Sequence, residues 1–336
     1  MTYAKPALTE AALLSRWEER GLVVQDSERC MRYLRHIGYY RLSPYVRSFE
    51  ASRDVLREGT TFDEILNLYI FDRRLRLLVM DAIERFEVAT RAAIGDHMCR
   101  LGGPHWYEAP SHFRHPNRHA RLLKDVDNLV DDQLARVPER PADSSFFVSA
   151  LEHYVTQYGD PKRPPSWLVL EELSLGALRS VYDNLSRRSD KTAIARTIGL
   201  TEPMLTSWLR SYQRVRNICA HHGRLWNRGL GVNPAIPSSL NVRWLDDREL
   251  FERERWRRQR LYPVLVSLQT VLHTVSPGST WSARLRDLLD EHPHVSRVGM
   301  GIPEDWWTDG FWPVKESGAL EMRLHSRMEG PRHDDS

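Results

Sequence analysis

One stretch of the chain, residues 205–227, constrains the fold more than any other. Its apolar side chains recur at steps of three and four residues: Leu205, Trp208, Leu209, Tyr212, Val215 and Cys219. This spacing places them on one face of a helix that packs against a core. Gly223 follows the stripe and indicates where the helix ends. The stretch therefore predicts a long amphipathic helix at the centre of a helical protein.

Three polar side chains lie near the end of this predicted helix. Arg216 borders the apolar stripe, whereas Asn217 and His221, four residues apart, share a neighbouring face. Arg216 and His221 are roughly 140° apart on an ideal helix. They can converge on one ligand only through the long arginine side chain, a kink near His221 or a second copy of the helix.

Arginine, asparagine and histidine together suit the attack of an RNA 2′-hydroxyl on its neighbouring phosphate, and they require no metal ion. Arginine stays charged and can bind phosphate through two parallel hydrogen bonds. Histidine transfers protons near neutral pH, and asparagine can orient either partner. The alternative is structural: Arg216 and His221 cap carbonyl groups or pair with carboxylates. Because arginine is abundant in this chain, its spacing to histidine is weak support by itself.

Periodic apolar positions predict further helices elsewhere, and strand signals are almost absent. Thr61, with Glu64 three residues later, predicts a capping box at the start of a second long helix. The pattern extends to about Cys99, which is too long for an ordinary globular helix, and we expect a break near Asp72 or Asp81. The charged and then apolar residues 250–276 predict one last long helix.

The second long helix carries another arginine–histidine pair, Arg91 and His97, with a spacing one residue wider. Glu87 lies four residues before Arg91, which predicts an ordinary ion pair along the helix. We therefore interpret Arg91 as structural. Its alternative role is to line an RNA-binding groove.

Two other clusters allow a functional and a structural interpretation. Residues 39–47 interleave tyrosines with Arg41 and Arg47, as do surfaces that stack bases and hold phosphates. We favour the alternative, in which the tyrosines pack the N-terminal helices on the main body. Residues 105–119 contain four histidines, but irregular spacing, prolines and the lack of a cysteine favour a loop or an RNA-facing edge over a metal site. We predict neither a metal nor a cofactor.

Composition places limits on the class of protein. With 41% hydrophobic and 28% charged residues and a net charge of +3, the chain is typical of a soluble protein, and any nucleic-acid surface must be local. No apolar run approaches the ~18 residues of a membrane span, and the first residues lack a secretion signal. The three cysteines are too widely spaced for a disulfide framework or a zinc site. We expect a cytoplasmic protein that does not contact membranes.

Three segments carry a resemblance to a known family. They read YLRHIGYYRLSPY at residues 33–45, FDRRLRLLVMDAIERFEVATR at 71–91 and RNICAHHGRLWN at 216–227. The chain resembles the abortive-infection family of AbiD/AbiF-like proteins from about Lys5 to past Trp281. That family is placed in the HEPN superfamily of helical domains, whose signature is arginine, a polar residue, a short spacer and histidine. Arg216, Asn217 and His221 match this signature.

The resemblance and the helical periodicity together predict the architecture. We expect an all-α protein built on a HEPN-like helical bundle. Residues 1–58 form a small N-terminal helical unit, 59–228 the HEPN-like domain, 229–322 a C-terminal helical extension and 323–336 a disordered tail.

The resemblance also implies a function, namely a toxin-like, metal-independent endoribonuclease in bacterial anti-phage defence. Arg216, Asn217 and His221 are then the catalytic residues, and Arg91, Arg41 and His222 are candidates for RNA binding. The expected partners are an RNA substrate, a second copy of the chain in a homodimer, and a candidate RNA or protein antitoxin. The alternative is a non-catalytic HEPN-like module that binds RNA or protein.

Overall fold

A computed structural model describes residues 7–136 and 148–312. Helices dominate these two ranges, which confirms the predicted all-α fold. The α-helices of the described residues are α1 (Glu10–Glu18), α2 (Ser27–Ile37), α3 (Tyr39–Val46), α4 (Phe62–Gly102), α5 (Pro116–Arg136), α6 (Ala150–Gln157), α7 (Ser166–Glu172), α8 (Leu175–Asn184), α9 (Arg188–Thr197), α10 (Glu202–Ala220), α11 (Leu250–Arg253), α12 (Tyr262–Val275) and α13 (Trp281–Asp290). Strands β1 (Glu50–Ser52) and β2 (Val55–Leu56) form a small antiparallel hairpin between α3 and α4.

The long helix α4 is the axis of the fold. The predicted capping box is present at its start, because the Thr61 and Glu64 side chains each accept a hydrogen bond from the other residue's backbone N–H. The predicted break near Asp72 or Asp81 is wrong, and α4 runs unbroken for 41 residues. Both carboxylates are compatible with a helix because each pairs with an arginine four residues later, Arg76 and Arg85 respectively.

Helix α10 packs on α4 through the predicted apolar stripe. Leu205, Trp208 and Val215 are fully buried, which confirms the amphipathic pattern. The Phe86 ring of α4 meets the Tyr212 ring of α10 edge to face, with centroids 4.7 Å apart. Such a pair contributes about 0.5–1.5 kcal/mol beyond its buried area. Helices α8 and α9 cover other sides of α10.

The last helix differs from its prediction. Residues 250–276 do not form one helix but α11, a 3₁₀ turn over Arg255–Gln259 and then α12. Pro263 explains the new start, because proline lacks an N–H and is tolerated only in the first turn of a helix. A second helix start is set by a capping residue. The Ser174 side chain accepts the Ala177 N–H at the start of α8, which begins there as a helix separate from α7. The sequence pattern gives no prediction for helix α9, which the structure shows over Arg188–Thr197.

The N-terminal and C-terminal helices share one hydrophobic core with α4. That core extends from Leu14 in α1 to Trp312. Helix α12 packs along α4, and the Trp281 indole N–H of α13 donates to the Leu78 carbonyl at 2.8 Å. The boundaries at residues 58 and 228 therefore remain an interpretation, and the predicted tail at 323–336 lies outside the described residues. Of the helices in the described ranges, none combines the length and the apolarity that crossing a membrane requires.

Candidate functional site

Helix α10 ends in a hydrogen-bonded cap that fixes two histidines. The Gly223 N–H donates to the Ile218 carbonyl at 2.8 Å and the His222 N–H to the Cys219 carbonyl at 2.9 Å, which is the Schellman pattern. His222 has φ +56°, in the left-handed region that this cap usually gives to glycine. His221 stays near the helical region, with φ −85° and ψ 12°. The chain therefore leaves the helix direction only at His222.

The three predicted catalytic side chains have no polar partner among the described residues. Asn217 and His221 are exposed and Arg216 is partly buried. Within residues 7–136 and 148–312, none of the three side chains takes part in a hydrogen bond or ion pair. The structural alternative, in which Arg216 and His221 cap carbonyl groups or pair with carboxylates, finds no contact in its support over these ranges.

Arg216 and His221 face different directions on α10. The helix is regular to Ala220, so the kink that could bring the two side chains together is absent and roughly 140° separates them. His221 instead shares an exposed face with Arg210, Arg214 and Asn217, within about 60° of one another. Arg216 and His221 can therefore bind one ligand in two ways: the long Arg216 side chain reaches around the helix, or a second copy of the helix supplies one of the two residues.

A buried carboxylate on α4 holds the loop that follows His222. Asp72 is 0% exposed, pairs with the buried Arg76, and accepts the backbone N–H of Leu225 at 3.0 Å and of Trp226 at 2.6 Å. The Tyr45 hydroxyl also donates to Asp72 at 2.6 Å. Burial and the neighbouring carboxylate raise the pKa of Tyr45 well above its usual value, so the hydroxyl stays protonated as a donor.

Helix α3 holds the same loop from the other side. The Arg41 guanidinium donates to the His222 carbonyl at 2.6 Å, and the Arg224 guanidinium donates to the Pro44 carbonyl at 2.8 Å. Each of the three segments that carry the family resemblance, at residues 33–45, 71–91 and 216–227, therefore contributes residues around the end of α10, the second of them through Asp72 and Arg76.

Sequence reasoning missed Asp72, Arg76 and Tyr45 as parts of this site. A signal was present, because Asp72 falls on the apolar stripe of α4 that continues through Leu75 and Val79. An acid on a buried stripe with an arginine four residues later indicates a buried ion pair. The helix break expected near Asp72 is in fact this buried ion pair within a continuous helix.

The three candidates for RNA binding occupy different places. His222 lies in the helix cap, and Arg41 contacts its carbonyl group. Arg91 instead donates to Glu87 at 2.6 Å, the ion pair that the spacing predicted, and to the Leu173 carbonyl at 2.7 Å. It lies nineteen residues beyond Asp72, or about 28 Å along α4. The structure therefore brings Arg41 and His222, but not Arg91, to the end of α10.

The four histidines of residues 105–119 do not assemble a site. His119 is buried, stacks on Phe113 with centroids 4.4 Å apart and contacts the Tyr107 carbonyl at 2.8 Å. His115 is exposed at the start of α5. Over the described ranges, no three histidine, cysteine or acidic side chains are grouped in a way that could hold a metal ion.

Residues 32–227 match the model of a protein family described as Abi-like protein, and this range is more than half of the chain. The chain belongs to the Abi-like protein family. Neither the curated proteins nor the solved structures returned a match. In this Abi-like protein the family range ends at Asn227, directly after the loop that Asp72 anchors, and α11 to α13 lie beyond it. Membership of the family suggests a role in abortive-infection defence.

We expect His222→Gly to raise the free energy of unfolding by about 0.5–1 kcal/mol, because glycine adopts a positive φ without the steric cost that histidine bears. Urea unfolding followed by circular dichroism measures the change. The control is Ala220→Gly, two residues earlier in the last helical turn, which should lower the free energy by about the same amount. Equal destabilisation by both substitutions would contradict the left-handed cap.

Proposed function

We propose that this Abi-like protein is a metal-independent endoribonuclease of abortive infection, with a HEPN-type active site at the end of α10. One observation carries the proposal. The side chains of Arg216, Asn217 and His221 make no hydrogen bond or ion pair with the described residues, while Asp72 and Arg41 anchor the backbone beside them. Partnerless arginine and histidine side chains on an anchored helix end are available for a phosphate.

The residues present can perform a simple displacement at phosphorus. His221 takes the proton of the 2′-hydroxyl or gives a proton to the departing 5′-oxygen. The bond from the 2′-oxygen to phosphorus forms as the bond to the 5′-oxygen breaks, so the products carry a 2′,3′-cyclic phosphate and a 5′-hydroxyl. Arg216 stabilises the charge on the phosphorane, and Asn217 orients His221 or the phosphate.

A homodimer completes this site in our proposal. Arg216 and His221 of one copy point in different directions on a regular helix. Arg216 of one copy can meet His221 of the other where the two α10 helices pack against each other around a two-fold axis. The exposed face that carries Arg214 and Asn217 is available for such a contact.

The proposal is tested by incubating the full-length protein with tRNA in the presence of EDTA. We expect cleavage to continue, because no step uses a metal ion, and we expect the new 5′ ends to accept phosphate from a polynucleotide kinase without prior phosphatase treatment. Loss of cleavage on chelation, restored by a divalent ion, would instead indicate metal catalysis. Saturable RNA binding without any cleavage would favour the non-catalytic module.

A further inference from the structure

A polar cleft of about 520 Å³ lies beside α3, on the side away from the end of α10. It opens between α1, α3 and the β1–β2 hairpin. Four arginines and two tyrosines contribute to its lining: Arg16, Arg20, Arg47, Arg53, Tyr39 and Tyr40. The nuclease chemistry proposed above does not use this cleft.

The cleft is suited to an anion. Its four arginines outnumber its two carboxylates, Glu50 and Asp54. The Asp54 carboxylate pairs with Arg20, and its Oδ2 atom lies 3.8 Å from Nε of Arg53. The guanidinium groups of Arg16 and Arg47 have no hydrogen-bond or ion-pair partner in the described part of the chain. Two cations therefore remain available for phosphate groups.

The cleft also presents an aromatic ring to solvent. Tyr39 stacks on the buried Trp17 with centroids 5.1 Å apart, and Tyr40 stands edge-on to Tyr39 at 5.5 Å. Tyr40 is nevertheless 79% exposed. Tyr40 is thus an exposed ring held in place by a packed aromatic neighbour and lying next to arginines. This combination is typical of surfaces that stack the nucleobases of a single strand and hold its phosphates. A duplex hides those base faces.

Helix α3 connects the cleft to the candidate active site. Tyr40, Ser43 and Arg47 lie three and four residues apart and face the cleft. Arg41, on the opposite side of α3, contacts the His222 carbonyl, and the backbone carbonyl of Pro44 accepts a hydrogen bond from Arg224. A helix with its side chains is about 10–12 Å across, so a few nucleotides can reach from one side of α3 to the other.

We propose that this cleft binds the single-stranded RNA that flanks the phosphate presented to His221. The connection to cleavage rests on the proposed nuclease function, whereas the binding itself does not. Arg16 and Arg47 hold phosphates, and a base stacks on Tyr40. The substrate is then a loop, an end or another unpaired segment of RNA.

Binding is measured with full-length His221→Ala protein, which removes turnover, and a fluorescein-labelled single-stranded RNA of twelve nucleotides in an anisotropy titration. We expect Tyr40→Ala to weaken binding by about 5- to 100-fold, the loss typical of one stacked base. Tyr40→Phe should restore it. Arg47→Ala should reduce the slope of log affinity against log salt concentration by about 0.7, the value for one phosphate contact on a single strand.

Two substitutions outside the cleft serve as controls. Tyr158→Ala removes another exposed tyrosine, and Arg196→Ala another exposed arginine, and both should leave binding within about twofold of the parent. A duplex of the same sequence should bind more weakly and should not respond to Tyr40→Ala. Equal losses in the cleft and control variants would overturn the proposal, as would a duplex that responds to Tyr40→Ala as the single strand does.

The cleavage assay separates the two proposals. Binding that depends on Tyr40 in a protein that never cleaves RNA supports the cleft and rejects the nuclease. Cleavage by protein whose RNA affinity is unchanged by Tyr40→Ala and Arg47→Ala supports the nuclease and rejects the cleft.

Discussion

Replacing His221 with alanine is expected to lower the rate of RNA cleavage by about 10²–10⁴-fold, the usual contribution of a general acid or base. The free energy of unfolding should change by less than about 0.5 kcal/mol, because the His221 side chain is exposed and makes no hydrogen bond or ion pair with the described residues. Initial cleavage rates on one tRNA, together with urea unfolding of the same preparations, measure the two effects.

The matched control for this substitution is His36→Ala, which removes another exposed histidine, in the last turn of α2. It should leave both the cleavage rate and the stability unchanged. A folded His221→Ala protein that cleaves RNA at the wild-type rate would contradict the catalytic role of His221.

The same variant tests whether two copies of the chain share the active site. Arg216→Ala should also abolish cleavage, because it removes the charge that stabilises the phosphorane. When equal amounts of the two inactive proteins exchange subunits, half of the dimers are mixed. If Arg216 and His221 come from different copies, each mixed dimer holds one intact site, and about a quarter of the wild-type activity returns. If both come from one copy, the mixture stays inactive.

The helices could be predicted where the information is local. The apolar stripe of α10 and the capping box of α4 depend on residues three or four positions apart, and the structure confirms both. The sequence also predicts the end of α10 to within a few residues. It points to Gly223, whereas the residue with the left-handed backbone conformation is His222. Glycine is the usual residue at the end of a helix, so a glycine favours a cap prediction at its own position. Only the hydrogen bonds show which residue occupies the cap.

The support of the candidate site could not be predicted in the same way. Asp72 receives hydrogen bonds from backbone groups 153 and 154 residues away, so no local pattern reveals why the fold tolerates a buried acid there. Arg41 illustrates the same limit. The sequence makes it a candidate for RNA binding among tyrosines that we expect to pack, yet its guanidinium holds the His222 carbonyl, which a linear sequence cannot show.

Replacing Asp72 with alanine is expected to lower the free energy of unfolding by about 3–5 kcal/mol, the cost of leaving one member of a buried ion pair alone. The Arg76 guanidinium would stay buried without its counter-charge, and the N–H groups of Leu225 and Trp226 would lose their acceptor. Asp81→Ala is the matched control, since Asp81 lies on the same helix, also pairs with an arginine four residues later, and is partly exposed. It should cost no more than about 1 kcal/mol.

A second variant separates the positioning of the loop from the stability of the fold. Exchanging the buried pair for apolar side chains, Asp72→Leu with Arg76→Met, should recover much of the lost stability, because well-packed apolar residues can replace a buried ion pair at little cost. It cannot restore an acceptor for the N–H groups of Leu225 and Trp226. We therefore expect a stable protein whose cleavage rate stays about tenfold or more below wild type, since small misplacements of a site slow catalysis strongly. Full recovery of both stability and cleavage in urea-unfolding and rate measurements would reduce Asp72 to a structural residue.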